Sequence, residues 1–473
     1  MTERAEVLVI GAGPAGLAAA AAAAQAGARI LLLDEQPVPG GQVWRGADRR
    51  LQDPAAKRRA GDSDTGAAEA LAGLDHPNID YVANATIVDA TPERRVSWIG
   101  PPNGGPRLRE AQADALILAT GAQERPVPFP GWTLPGVMGV GALQLLLKQG
   151  VVPEGRIVLA GQGPLILLTY VQLRRARASV KAFLDFGPAL PPFDALRQAG
   201  GILADPALFA KGVALAAARA VSGTPVHRAV DRLAAHGTDR VERLTFGSRG
   251  LSRSIPCDVV AVHDGVIPNT QLTRLLNLPH VWDPAQEAFA PAAGPDHEAA
   301  PGIWVAGDGA GIGGAEIARL SGALAGAAAA ASVGKPADGR MPNLRAELRR
   351  KRRARTFLDA LYRPAPLAAH LTEDTPICRC EAVTSSQIGA AVQDGAHGPN
   401  RVKTFTRAGM GPCQGRMCGN TLTRVIADIT AEAPHAVGAL RIRPPLKPVL
   451  IEDYLPPDPD TEQALERAPA HDA

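Results

Sequence analysis

The apolar positions of this chain fall into short strand-like runs, each followed by a glycine turn and an Ala- or Leu-rich helix. Val7–Ile10 is the first run. A glycine turn follows it, then a helix predicted from about Gly13 to Ala26 and a strand from Ala28 to Leu33. Strand, helix and strand in this order make a βαβ unit and predict a parallel sheet. The pattern returns 150 residues later, with strand Ile157–Ala160, turn Gly161–Pro164, helix Leu165–Arg175 and strand Ala178–Leu184. A third fragment, Gly302–Ala331, holds one strand (Ile303–Ala306), the turn Gly307–Asp308 and an Ala-rich helix. It is too small to be a domain, so it is expected back on the first sheet, with the second unit inserted between.

The pattern predicts an α/β fold with two nested dinucleotide-binding (Rossmann-like) domains, one of residues 1–125 and 295–335, the other of 126–294. After Gly334 the composition changes. Arg345, Arg349, Arg350, Lys351, Arg352, Arg353 and Arg355 crowd one stretch, which reads either as a solvated helix face or as a docking surface for an acidic partner protein. Residues 336–376 read as a linker, with Pro364, Pro366 and Pro376 in its second half. A small, mainly helical cysteine module is expected at 377–432 and an extended tail at 433–473. The tail, rich in proline (Pro444, Pro445, Pro448, Pro456, Pro457), is expected to lie over the other domains or a partner, its last dozen residues without structure.

A length of 473 residues suits two or three domains. With 46% hydrophobic and 21% charged residues, the balance is that of an ordinary soluble protein. A net charge of +3 gives no reason to expect nucleic acid as a partner. The apolar stretch Val7–Ala24 could pass for a secretion signal, but Gly11, Pro14 and Gly16 interrupt it and Glu3 and Glu6 precede it. No other run is long enough to cross a bilayer, so a cytoplasmic protein is expected. Four of the five cysteines lie between 378 and 418, which reads as a metal or redox site rather than a disulfide framework.

Gly11-Ala-Gly13-Pro14-Ala15-Gly16 has the G-x-G-x-x-G form. Gly11 permits the turn, Gly13 lets a pyrophosphate approach the backbone, and Gly16 lets the helix pack on the strand. Asp34, with Glu35 beside it, stands 18 residues beyond Gly16, near the spacing of a ribose-binding acid. Gly40-Gly41-Gln42, Ala119-Thr120-Gly121 and Gly307-Asp308 favour FAD over NAD as the ligand, Asp308 being placed to bind the ribityl chain. These motifs in this order resemble the two-dinucleotide-domain flavoproteins that include the pyridine nucleotide–disulfide reductases. The resemblance implies that all of them contact FAD.

The second loop, with Gly161 and Gly163, is degenerate, because Ile166 replaces the third glycine. It reads either as an NAD(P)H site or as a retained scaffold. Gly265, Pro268, Asn269 and Thr270 match the family's turn that closes this region onto the FAD domain. The disulfide reductases carry a redox cysteine pair beside the flavin. Here the one cysteine before 378 is Cys257, which excludes dithiol chemistry and reads as a buried apolar thiol. His227, His236, His263 and His280 are scattered and read as surface or turn residues.

Cys378-Arg-Cys380 and, after 32 residues, Cys413-Gln-Gly-Arg-Met-Cys418 offer four thiolates in two close pairs. Gly409, Gly411, Gly415 and Gly419 let backbone amides approach the sulfurs, and Lys403, Arg407 and Arg416 supply positive charge. A [2Fe–2S] cluster suits this better than zinc, whose sites favour C-x2-C knuckles; free thiols are the third reading.

Cys378–Glu381 together with Thr406–Cys418 resembles the bacterioferritin-associated-ferredoxin-type cluster domain. It is similar in particular to the version fused to the large FAD subunit of opine oxidases, hydrogen cyanide synthase and D-hydroxyproline dehydrogenase. Ala119–Trp132 and Arg443–Pro448 carry the same resemblance, while Arg50–Asp75 matches poorly. The resemblance implies an electron-transferring subunit of an amino- or imino-acid dehydrogenase complex. Its implied partners are an FAD subunit like the amino-acid oxidases, a small ferredoxin-like subunit, and a quinone or other acceptor; the complex would be soluble or peripheral at the inner membrane. A self-sufficient NAD(P)H-dependent oxidoreductase and a non-catalytic assembly scaffold are the alternatives.

Overall fold

The computed structural model describes residues 3–53, 66–101, 107–188 and 192–454. Its largest sheet runs in the order Glu298–Ala300, Ile303–Val305, Leu108–Leu118, Glu3–Ile10, Ile30–Leu33, Ile79–Val82. The last five of these strands are parallel. Their central residues Val7, Leu8, Val9, Leu32, Leu116 and Ile117 are fully buried, because helices and a flap cover both faces. That explains unbroken apolar runs in place of alternation. An antiparallel pair, Thr86–Ala90 and Arg95–Ile99, forms the flap on Leu108–Leu118. The late strand Ile303–Val305 aligns with Leu116–Leu118, so residues far apart in sequence share one sheet.

Two Ala-rich helices, Pro14–Gln25 and Ala315–Ser332, cross on one face of this sheet. They touch backbone to backbone. A Cβ on Gly322 would stand 2.0 Å from the Ala15 carbonyl oxygen, and one on Gly326 would stand 2.2 Å from that of Ala19. The alanines and glycines are therefore chosen for proximity, and the nearness of the two helices brings Gly307 against Ala15 at the mouth of the first loop.

The second sheet is parallel throughout, in the order Val226–Arg228, Ser179–Asp185, Arg156–Gln162, Val259–Asp264, Val137–Gly139. A three-stranded antiparallel sheet, 230–256, packs beside it. Ala122–Glu124 pairs antiparallel with Val266–Pro268, and this two-stranded joint connects the two nucleotide-type units. Cys257 is fully buried in the second unit's core, and burial raises its thiol to about 11.

The basic stretch is one helix, Met341–Leu361. It is not solvated all round. Lys351 is buried between Asp205 (2.8 Å) and Glu316 (2.7 Å), and Arg345 holds Asp296, while Arg349, Arg350 and Arg353 face solvent. The cysteine module has a small hairpin, Pro376–Cys378 with Val383–Thr384, and helices Ser385–Gln393, Pro399–Thr406 and Gly419–Thr430. Ile388, Val402, Leu422 and Ile426 form its own core. Beyond it the tail runs extended over the first unit, where the Leu446 side chain joins the core and its amide donates to the Val88 carbonyl (2.7 Å). The expected unstructured last dozen residues lie outside the described residues, as does much of the poorly matching stretch after Arg50. No described helix is long and apolar enough to cross a membrane.

Replacing Gly322 by Val should lower stability by about 3 kcal/mol, since neither backbone can yield to the new side chain. Thermal denaturation should show a lowered Tm together with early release of FAD.

Candidate functional site: a dinucleotide cradle and a four-thiol loop pair

The first glycine loop forms a narrow cradle at the carboxyl edge of the large sheet. Gly11 has a φ of +103°, and a Cβ there would meet the Ala119 carbonyl oxygen at 2.4 Å. A Cβ on Gly16 would fall 1.6 Å from the Gly11 oxygen, so the helix can start this close to the strand only with glycine. Gly41 crosses over Gly13, with 2.9 Å from its would-be Cβ to the Gly13 Cα. Gly40 donates to the Ala12 carbonyl at 2.8 Å, and Lys148 holds the carbonyls of Gln42 and Val43. Pro14 and Ala15 open the helix, whose free N-terminal amides suit a pyrophosphate.

The two acids of the cradle are set differently. Asp34 is buried; its carboxylate accepts from the amides of Ala12 and Gln36, and burial raises its pKa. Glu35 points the other way, to Lys447 of the tail. Asp308 accepts from the amides of Gly313 (2.8 Å) and Gly314 (2.9 Å) through Oδ1 alone. Among the described residues its Oδ2 has no protein partner and is available to a ligand hydroxyl. Thr120 donates to the Asn269 carbonyl (3.0 Å) and the Asn269 amide donates to the Gly121 carbonyl (2.9 Å), which closes the second unit's turn onto the cradle. These glycine contacts and the spare acceptor of Asp308 fit FAD.

The four thiols come together from two loops. Cys418 donates to Cys378, and Cys380 pairs with Cys413. The bond from Cys418 brings Cys378 down to about 6, helped by the amides of Gly409 (3.4 Å), Glu381 and Cys380, and Cys418 rises in turn. Gly411 lies against Cys380, where a Cβ would be 2.3 Å from the Cys380 Cβ. Among the described residues, no three His, Cys, Asp or Glu side chains converge on a single-ion position. Four thiols in two hydrogen-bonded pairs that act on one another, with amides at Cys378, would suit a [2Fe–2S] cluster.

The cluster loop sits on the joint between the two nucleotide-type units. Gln123, within the joint, donates to the Arg416 carbonyl at 2.5 Å. Trp132 donates to the Pro376 carbonyl (2.7 Å), and Arg424 pairs with Glu287 (2.6 Å) and donates to the Ala365 carbonyl (2.9 Å). Arg125, pushed down to about 10 by burial, binds the carbonyls of Asp264, Gln286 and Glu287 on the other side of the same joint.

The second glycine loop has a different environment. Gly161 and Gly163 keep positive φ values of +142° and +103°, but Ile166 is fully buried in the core. The Gln162 side chain donates to Asp264 (2.9 Å) and to the Arg363 carbonyl (2.7 Å). Asp264 accepts from the Ala365 amide (2.9 Å), and Phe186 stacks on His370 with centroids 5.2 Å apart. Asp185, the end of the second strand, is taken by Arg219 at 3.3 Å with Tyr362 beside it. Residues 362–370 therefore lie across the carboxyl ends of three parallel strands, the place where open α/β sheets bind ligands.

Two histidines correct the sequence reading. His263 is neither on the surface nor in a turn: it is 3% exposed, with Nδ1 2.7 Å from Glu124 Oε1, and its ring faces Gly163. His280 is half-buried at the start of a strand, bonded to Leu278 and Thr273, and burial takes it down to about 4. The Glu124–His263 pair joins residues 139 apart, and no local spacing announces it.

The sequence pattern of the pyridine nucleotide–disulphide oxidoreductases matches residues 5–332, and that of the BFD-like [2Fe-2S] binding domain matches residues 376–428. The chain belongs to the pyridine nucleotide–disulphide oxidoreductase family, extended by a BFD-like [2Fe–2S] domain. Within it, the chain is 39% identical to an opine oxidase subunit of Rhizobium meliloti, over 99% of its own length and 90% of that protein, and so belongs with those subunits. It is 34% identical to hydrogen cyanide synthase subunit HcnB of Pseudomonas aeruginosa, over 93% of this chain and 96% of that one. In fold it is similar to L-proline dehydrogenase from P. horikoshii, with a TM-score of 0.70 and 20% identity over 96% of this chain and 80% of that one. The expected fold class, the flavoprotein relationship and the cofactor pair FAD and [2Fe–2S] all agree with these findings.

Replacing Cys378 or Cys413 by Ser should remove nearly all iron from anaerobically purified protein, against about two irons per chain in the parent. FAD content should stay unchanged, because the cradle shares no residue with the thiol loops; metal analysis and the visible spectrum read both quantities.

Proposed function

We propose that this chain is the electron-transferring FAD- and [2Fe–2S]-containing subunit of a hetero-oligomeric amino- or imino-acid dehydrogenase, of opine, hydroxyproline or glycine type. A partner FAD subunit like the amino-acid oxidases oxidises the CH–NH or CH–NH2 carbon. A small ferredoxin-like protein, a quinone or another acceptor takes the electrons afterwards. We place the chain in the cytoplasm, with any contact at the inner membrane made through its partners. The relatives with which it aligns over nearly their whole length are themselves named as subunits of opine oxidase and hydrogen cyanide synthase, which supports a place in a complex.

The observation that carries this proposal is the segment 362–370 over the second glycine loop. With Gln162 and Asp264 committed to the Arg363 carbonyl and the Ala365 amide, a nicotinamide nucleotide would have to displace this segment to reach the loop amides. That speaks against the self-sufficient reductase and leaves electrons to arrive from another subunit.

When bound, FAD accepts an electron pair and the cluster passes electrons singly. The chain's own residues do the rest. The glycines at 11, 13, 16 and 41 let the backbone approach the pyrophosphate, and Asp34 and Asp308 would hold the ribose and ribityl hydroxyls. Gly409 and Gly411 keep backbone close to the cysteine sulfurs. Glu124 ties His263, beside the second loop, to the amide of Gly141 (2.9 Å) and so holds the joint rigid on which the cluster loop rests.

Anaerobic titration of the isolated chain with NADH or NADPH should leave the flavin absorbance unchanged, while dithionite bleaches it. Co-expression with the partner subunit should make the same band bleach with an amino-acid donor. Rapid bleaching by NADH alone would overturn the proposal in favour of the self-sufficient reductase. A flavin that no donor reduces in the complex would favour the scaffold.

A further inference from the structure

The loop carrying the second cysteine pair has one cation inside it, Arg416, which neither ligates iron nor lines the FAD cradle. Its backbone is fixed on both sides. The amide donates to the Cys413 carbonyl (3.0 Å), and the carbonyl accepts from Gln123 of the joint (2.5 Å). The side chain is half-buried, and its Nη1 donates to the Leu446 carbonyl of the tail at 3.2 Å. Leu446 adjoins Lys447, the partner of Glu35, and the loop turn sets Arg416 beside Cys413, so the charges of Cys413 and Glu35 both act on the guanidinium. Glu35 is shared with Lys447, which also comes from the tail. The neighbouring cation Arg407 is exposed and paired with Glu381 at 2.9 Å. Arg416 also borders a small cavity of about 40 Å³ of mixed lining, with Gln123, Thr270 and Arg274 on one hand and Ile267, Phe289 and Leu440 on the other.

A guanidinium held in a half-buried position acts on nearby charge far more strongly than one in bulk water. Reduction adds negative charge to an iron–sulfur cluster, so a fixed cation beside the thiolates favours the reduced form, and charge and hydrogen bonding near the sulfurs set the potential. An acid facing the same cation has the opposite effect.

We propose that Arg416 sets the potential of the cluster, raising it relative to FAD so that electrons run from flavin to cluster, and that Glu35 tempers this effect from the FAD side. The inference deepens the electron-transfer reading above and rests on it. Arg416 is a positioning residue: it acts through the cluster and touches no substrate.

The test is an EPR-monitored redox titration of the full chain loaded with both cofactors, comparing the parent with Arg416→Gln, Arg416→Lys and Glu35→Gln. The cluster midpoint should fall in Arg416→Gln, largely recover in Arg416→Lys and rise in Glu35→Gln, with the FAD midpoint moving less in each. An unchanged cluster midpoint in Arg416→Gln would overturn the proposal. If that variant does not retain its cluster, Glu35→Gln decides, since the acid lies outside the cluster domain; no upward shift there would also overturn it. A parent protein without a reduced-cluster EPR signal would instead overturn the cluster assignment beneath it.

Discussion

The hydrogen bond from Gln123 to the Arg416 carbonyl ties the loop of the second cysteine pair to the joint between the two nucleotide-type units, and it sets where that loop stands against the first glycine loop. Gln123 sits in the strand that follows Thr120 and Gly121 beside the first glycine loop, and Arg416 sits between Cys413 and Cys418. The contact is backed by Trp132 on Pro376, by Arg424 on Glu287 and by the tail from Leu440 to Lys447. Leu440 packs beneath Gly409 and Gly415, and Leu446 anchors in the first core. A cluster on a free tether would meet the flavin only intermittently. Here the cysteine domain is held by Gln123 of the joint, by Glu287 and by the tail.

The second dinucleotide-type unit has kept the architecture of a nucleotide site while its crevice holds protein. Ile166 fills the space a third glycine would leave, Arg219 occupies Asp185, and residues 362–370 cover the strand ends. What remains in this unit is a set of attachments. Arg125, Asp264 and the Glu124–His263 pair tie it to the joint, and Glu287 gives the cluster domain a carboxylate to hold.

Much of this is legible in the sequence because it is local. The strand–glycine–helix starts, the four-cysteine spacing and the ribose-acid spacing each lie within a few dozen residues, and steric rules connect them to a conformation. The docking is not legible. The partners of Gln123, Glu35 and Arg424 lie 293, 412 and 137 residues away, and no spacing rule links them. The linker's prolines are plain in the sequence, but nothing in Pro364 or Pro366 announces that this segment crosses the second glycine loop. His263 escapes a sequence reading for the same reason: its strand is buried between Arg156–Gln162 and Val137–Gly139, and its partner Glu124 lies 139 residues away.

Electron transfer from FAD to the cluster within one chain is open to flash photoreduction of the flavin in the isolated, fully loaded chain. Flavin reoxidation and cluster reduction should follow with matching single-exponential rates that do not change with protein concentration. A cluster that stays oxidised, or a rate that rises in proportion to concentration, would contradict it.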